Sequence, residues 1–184
     1  GAMDNRNFFL ANKLVGNKLV SPVIEFAYQG PLLKLIKGKT KIAITGNVIF
    51  KKGSLTLNCQ EGRHYEKKEL AILYRNVSAI QEGRTLVCDT LKFFSKEDKL
   101  LSIGNPHVWD KDYDLKSDFL TIFTKNDSGV ALGNVTLIQK NQTINADKIE
   151  YIKDSKNNGV SYIASGNVVI KDSSRTSTCG KAIY

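Results

Sequence analysis

A chain of 184 residues with 27 Lys and Arg against 18 Asp and Glu, net charge +9, has the length for one well-packed domain and room for only a small second one. The excess of cations favours anionic partners, although lysines spread along a chain also keep sheet edges soluble. Apolar runs such as Ala71-Ile72-Leu73-Tyr74 are far too short to span a bilayer, and three cysteines without C-x-x-C spacing indicate neither a zinc ribbon nor a dithiol redox site.

In chain order, Gly1-Ala2-Met3 reads as a scar of tag removal, so the absence of a visible signal peptide carries no information about compartment. Residues 4–40 are expected to hold N-terminal edge strands with a partial repeat. Leu19-Val20-Ser21-Pro22-Val23-Ile24-Glu25-Phe26 follows the pattern of Leu86-Val87-Cys88-Asp89-Thr90-Leu91-Lys92-Phe93, and Pro22 suits an edge strand. Lys34, Lys37, Lys39 and Lys41 alternate with other residues as one strand face would.

Residues 41–184 are built on an internal repeat. Gly46-Asn47-Val48, Arg75-Asn76-Val77, Gly104-Asn105-Pro106, Gly133-Asn134-Val135 and Gly166-Asn167-Val168 start similar segments. The first four starts are 29 residues apart and the last interval is 33. Four positions past each start lie Phe50, Ala79, Val108, Leu137 and Ile170. Eleven past lie Leu57, Leu86, Leu115, Ile144 and Ser177, and eighteen past lie His64, Phe93, Ile122, Tyr151 and Tyr184. Period-2 alternation, β-branched residues and the turn formers Lys52-Gly53, Glu82-Gly83, Asp127-Ser128-Gly129 and Asn157-Asn158-Gly159 make each copy a set of strands. No segment has a sustained 3.6-residue period with caps, so almost no helix is expected; residues 10–20 are the least determined. The fold class is all-β.

Thirteen positions past each start stand Cys59, Cys88, Ser117, Ala146 and Cys179. A column restricted to Cys, Ser and Ala requires a small side chain, which makes the cysteines free, packed thiols. The Gly-Asn pairs lie where strands begin, where Gly allows positive φ or a bulge.

Catalytic chemistry has little to draw on. His64 and His107 are the two histidines, and neither lies in a triad or an H-E-x-x-H pattern. No phosphate-cradling glycine motif occurs, so no nucleotide or other cofactor is expected. Nucleic acid is disfavoured because Phe50, Phe93, Tyr151 and Tyr184 share the core register instead of interleaving with Lys and Arg. The residues alone leave two readings open: a structural β-scaffold with a sealed core, or stacked strands whose apolar column lines an open groove.

Ile44-Thr45-Gly46-Asn47-Val48-Ile49-Phe50 with Leu55-x-Leu57, and Leu132-Gly133-Asn134-Val135-Thr136-Leu137 through Ile144-Asn145-Ala146-Asp147-Lys148-Ile149-Glu150-Tyr151, resemble the OstA-like lipopolysaccharide-transport family, which includes LptA and the N-terminal periplasmic domain of LptD. The likeness runs over residues 40–184. It implies a half-open jellyroll of antiparallel strands (a β-taco) with an apolar groove, head-to-tail pairing of terminal strands with itself or with other bridge components, and a non-enzymatic periplasmic role. The implied ligand is lipopolysaccharide or another anionic amphiphile, with phosphates met by lysines at the rim. Its acyl chains would lie against Val48, Phe50, Leu57, Val77, Leu86, Leu91, Phe93, Val108, Leu115, Leu120, Ile122, Val135, Leu137, Ile144 and Ile149. Two departures stand out: Arg75 occupies a Gly position, and the chain is more basic than a simple bridge would be; the recurrent Asp89, Asp118 and Asp147 also match the family pattern only in part, with Gln60 in the first copy and Gly180 in the last.

Overall fold

The computed structural model describes residues 4–25, 42–52, 54–153 and 160–183. Helix α1 (Asn5–Val15) and a turn of 3-10 helix (Glu66–Lys68) precede and interrupt twelve strands. These are β1 (Ile42–Lys52), β2 (Leu55–Tyr65), β3 (Leu70–Gln81), β4 (Arg84–Phe94), β5 (Lys99–Ile103), β6 (His107–Trp109), β7 (Tyr113–Lys116), β8 (Phe119–Phe123), β9 (Ser128–Gln139), β10 (Gln142–Lys153), β11 (Val160–Lys171) and β12 (Thr176–Ile183). All pair antiparallel in one sheet, ordered β1-β2-β3-β4-β5-β8-β9-β10-β11-β12, with the short β6-β7 hairpin bridging β4 and β9 beside β5 and β8. The all-β expectation holds.

The repeat starts are the places where the long strands bend. Register shifts fall between Thr45 and Val48, Tyr74 and Val77, and Ser165 and Val168. At the second and third of these points, and in β9 between Leu132 and Val135, two successive residues take positive φ: Arg75 and Asn76 at 61° and 50°, Gly166 and Asn167 at 74° and 47°, and Gly133 and Asn134 at 75° and 45°. A bulge of this kind leaves one strand locally unpaired and turns its direction. Because the bulges recur in neighbouring strands, they form a continuous fold line, and each long strand contributes one half to either side of it.

The acidic residue fourteen positions past the three middle starts locks this line. A Cβ at Gly104, Gly133 or Gly166 would fall inside the carboxylates of Asp89, Asp118 and Asp147 respectively. The Asn134 and Asn167 amides donate to those of Asp118 and Asp147, each at 2.9 Å. Arg75 breaks the glycine pattern in the one place where the facing residue is Gln60 instead of Asp. There the Arg75 guanidinium bonds the buried Glu61 carboxylate at 2.8 Å, so the two sequence departures account for each other. In the third copy Pro106 replaces Val and removes a ladder donor. The strand is split there into β5 and β6, and Ser117 N–H reaches the Pro106 carbonyl at 3.2 Å.

Apolar side chains from both halves meet in one cluster, so the sheet curls around a single interior and is barrel-like in section. One wall carries the paired row Leu57, Ala79, Leu86, Val108, Leu115, Leu137, Ile144 and Ile170. The other carries Leu73, Leu91, Ser102, Leu120, Ala131, Ile149 and Ala164. Val77, Cys88, Val135, Ala146 and Val168 fill the fold line between them. Cys59 and Cys88 are free and buried as the column required, whereas Cys179 is free and exposed because β12 is a sheet edge.

The N-terminal expectation needs correction. Within residues 4–40, Asn5–Val15 is helical, capped by Asp4 (Asn7 N–H to Asp4 Oδ1, 3.0 Å) and by Gly16 at φ 77°. Both caps are of the standard kind. The buried Asn12 amide donates to the Leu19 and Ser21 carbonyls at 3.3 and 2.8 Å, tying the following segment back onto the helix. Leu19–Glu25 form no strand, so the partial repeat does not pair over that stretch. Phe26 and the lysines from Lys34 to Lys41 lie outside the described residues.

Gly133→Ala must meet both the positive φ and the Asp118 carboxylate, whereas Gly83→Ala, at φ 82°, has nothing within 4 Å. We expect the first to cost about 3 kcal/mol and the second about 1 kcal/mol in urea unfolding. Equal losses would remove the carboxylate contact from the account.

Candidate functional site

Away from the fold line the two walls diverge. Val77, Val135, Leu137 and Val168 are each 1% exposed, whereas Phe93, nearer the strand ends, is 37% exposed. Between the walls of the third and fourth copies, with Arg84 of the second at its side, lies a cavity of about 720 Å3. Val108, Leu115 and Leu137 form its floor from one wall, and Leu120, Ile122 and Ile149 from the other.

Of the fifteen residues assigned to acyl contact from the sequence, those six line this cavity. Val77, Leu86, Leu91, Val135 and Ile144 are buried in the same apolar cluster without lining it, and Val48 and Leu57 pack against that cluster half-buried. Phe93 is on the same face, paired with Leu100 and Ala71, but lies outside the cavity lining. Phe50 pairs with Leu57 through its backbone, and its side chain lies outside the described residues.

Sequence reasoning missed the mouth. Tyr113 on β7 faces it from one wall, Tyr151 on β10 and Tyr162 on β11 from the other, with Arg84 from β4 at the side. Arg84 lies 5.7 Å from the centre of the Tyr113 ring and 3.8 Å from Asp110. Asp110 also closes its own loop, accepting from the Asp112 and Tyr113 N–H groups at 2.7 and 3.1 Å. Lys153 pairs with Asp127 at 3.0 Å. The lining contains Arg84, Lys111, Lys140 and Lys153 against Asp110, Asp112, Asp114 and Asp127, so the protein's cationic excess is not concentrated here. The available signal was Tyr151 in the eighteenth repeat position; nothing local in the sequence tied it to Tyr113.

Burial dominates the titration of these groups. It pushes the Tyr113 phenol up to about 12, with Arg84 opposing and Asp110, Tyr162 and Asp127 adding to it. Tyr151 and Tyr162 are also raised, again mainly by burial. Cys88 is pushed up to about 11 and Cys59 is raised for the same reason, which leaves both thiols protonated and poor nucleophiles near neutrality. His107 contacts Asp114 at 2.9 Å and lies 4.4 Å from the Trp109 ring. Among the described residues no group of three or more His, Cys, Asp or Glu is arranged to hold a metal ion.

Residues 114–183 match the family model described as LptA/(LptD N-terminal domain) LPS transport protein. Residues 1–91 match a second one, described as carboxyltransferase domain, subdomain A and B. Strands β1–β4 of that second stretch nevertheless continue the sheet and bulge pattern of the C-terminal copies. No curated protein sequence matches the chain. Among solved structures, the fold is similar to that of LptH from Pseudomonas aeruginosa, the LptA-homologous periplasmic component of its lipopolysaccharide transport device. The TM-score is 0.53 at 18% identity, covering 71% of this chain and 93% of that one.

A phenol whose folded value lies above its unfolded value near 10 stabilises the fold below pH 10, and that contribution is lost as pH rises towards 12. The parent's urea midpoint should therefore fall over this window, and Tyr113→Phe should flatten the fall. An equally steep decline in the variant would show that Tyr113 is not one of the phenols held neutral by burial.

Proposed function

We propose, for a chain that is OstA-like and of the lipopolysaccharide-transport family, that it is a periplasmic carrier module. In this reading its curled sheet is a half-open jellyroll, and the space between the walls shields the acyl chains of lipopolysaccharide or a similar amphiphile. The observation that carries the reading is the cavity of about 720 Å3, with an apolar floor and a charged, aromatic mouth. Its size falls within the range of small-molecule sites. Each methylene buried there contributes about 0.8 kcal/mol, so a partly inserted chain is held without being trapped.

The polar headgroup remains at the mouth. Because the cations there are matched by carboxylates, phosphates are met by individual lysines and Arg84 and not by a strongly positive field. No reaction is assigned to the module. Transport through it draws on energy supplied elsewhere, and the lipid is the cargo. Strand β12 is hydrogen-bonded on one side to β11, and seven of its eight residues are exposed. An edge of that kind supports head-to-tail strand addition to a second copy or another bridge component.

Leu137 is too deep for a clean test, since a carboxylate there would be buried without a partner. Ile122, half-buried and lining the cavity, is the better site. Native mass spectrometry with added lipopolysaccharide should show saturable adducts on the parent and a loss of about tenfold or more in Ile122→Glu, with unchanged circular dichroism. A folded parent that takes up no lipid would instead favour the sealed-core scaffold.

A further inference from the structure

Among the mouth residues, Tyr151 is held in an unusual way. It pairs across the ladder with Gly129, which is buried and flanked on its other side by Ile122. A Cβ on Gly129 would come within 2.7 Å of both Tyr151 Cζ and the Thr121 backbone oxygen. The ring therefore lies down on the bare backbone of β9, in a notch that no larger residue would leave. The same position, four before the repeat start, is occupied by Ala71, Leu100 and Tyr162 in other copies, so the notch belongs to this copy. Its φ is outside the left-handed region, so backbone conformation does not demand glycine here; the Tyr151 ring and the Thr121 carbonyl beside it do.

We propose that Gly129 determines what the cavity admits: by seating the Tyr151 ring against the wall, it keeps the mouth clear for an acyl chain. The inference rests on the carrier reading for the identity of the ligand, but not for the position of the ring. With the notch filled, the ring must rotate away from the wall. Tyr151 is on the interior face and lines the cavity together with Tyr113 and Tyr162, so rotation carries it across the mouth towards the opposing tyrosine. Gly129 and Tyr151 thus act as a pair, one providing the recess and the other the gate.

The test compares the parent, Gly129→Ala, Tyr151→Ala and the double variant, using a fluorescent palmitoyl probe. Gly129→Ala should weaken binding about tenfold, and the double variant should return to within about threefold of Tyr151→Ala, a non-additive cycle. Parent-like binding by Gly129→Ala overturns the proposal. A double variant as weak as Gly129→Ala also overturns it, because the loss would then stem from crowding of the Thr121 carbonyl. Alkaline titration of the phenols by ultraviolet absorbance, with Tyr151→Phe as the blank, reads the ring without any lipid. In Gly129→Ala the Tyr151 phenol should ionise closer to its ordinary range, and an unchanged titration sinks the gate. If the parent fails to bind the probe, the carrier reading fails while the titration still decides whether Gly129 seats the ring.

Discussion

The structure depends on how a carboxylate packs over a glycine at the point where each long strand bends. Asp89, Asp118 and Asp147 close over Gly104, Gly133 and Gly166, and asparagine amides complete two of these contacts. An antiparallel sheet of this many strands would twist away from itself without a reason to bend at one place. The stacked bulges supply that reason. Since the bends at Gly104, Gly133 and Gly166 are each fixed by an acid from the preceding copy, the fold line propagates from copy to copy. Arg75 and Glu61 achieve the same end by an ion pair where the acid and the glycine are both missing.

That line also sets the depth profile of the interior. Side chains beside it are sealed, as Val77, Val135 and Val168 show, because they pack into the shared apolar cluster. Moving along the strands, the walls separate, and identical repeat positions change from core to lining. In the column that contains Leu86, Leu115 and Ile144, all three buried, Leu115 alone of the three lines the cavity.

The third copy is where the sheet gives up regularity. Pro106 interrupts the ladder, β6 and β7 form a separate short hairpin, and the loop closed by Asp110 carries Tyr113 to the mouth. The irregular copy therefore supplies Tyr113 to one side of the aromatic mouth, and regular repeat positions supply Tyr151 and Tyr162 to the other. Departures from the repeat coincide with the features that distinguish this cavity from a uniform stack.

Much of this was legible in the sequence. The all-β class, the interior columns and the small-residue position of Cys59 and Cys88 follow from a period of 29 residues, because strand alternation is local and repeats with the sequence; the Gly-Asn pairs, expected where strands begin, instead bend long strands near their middle. Asp4 and Gly16 cap α1, but no sustained 3.6-residue apolar period lies between them to mark the helix in the sequence. Tertiary structure alone decided which apolar positions are floor and which are filler, and that Tyr113, Tyr151 and Tyr162 share one mouth. The reason is geometric. Period and pattern determine the face on which a side chain lies, but contact across the interior depends on the angle between the walls. That angle is set jointly by bends contributed from every copy.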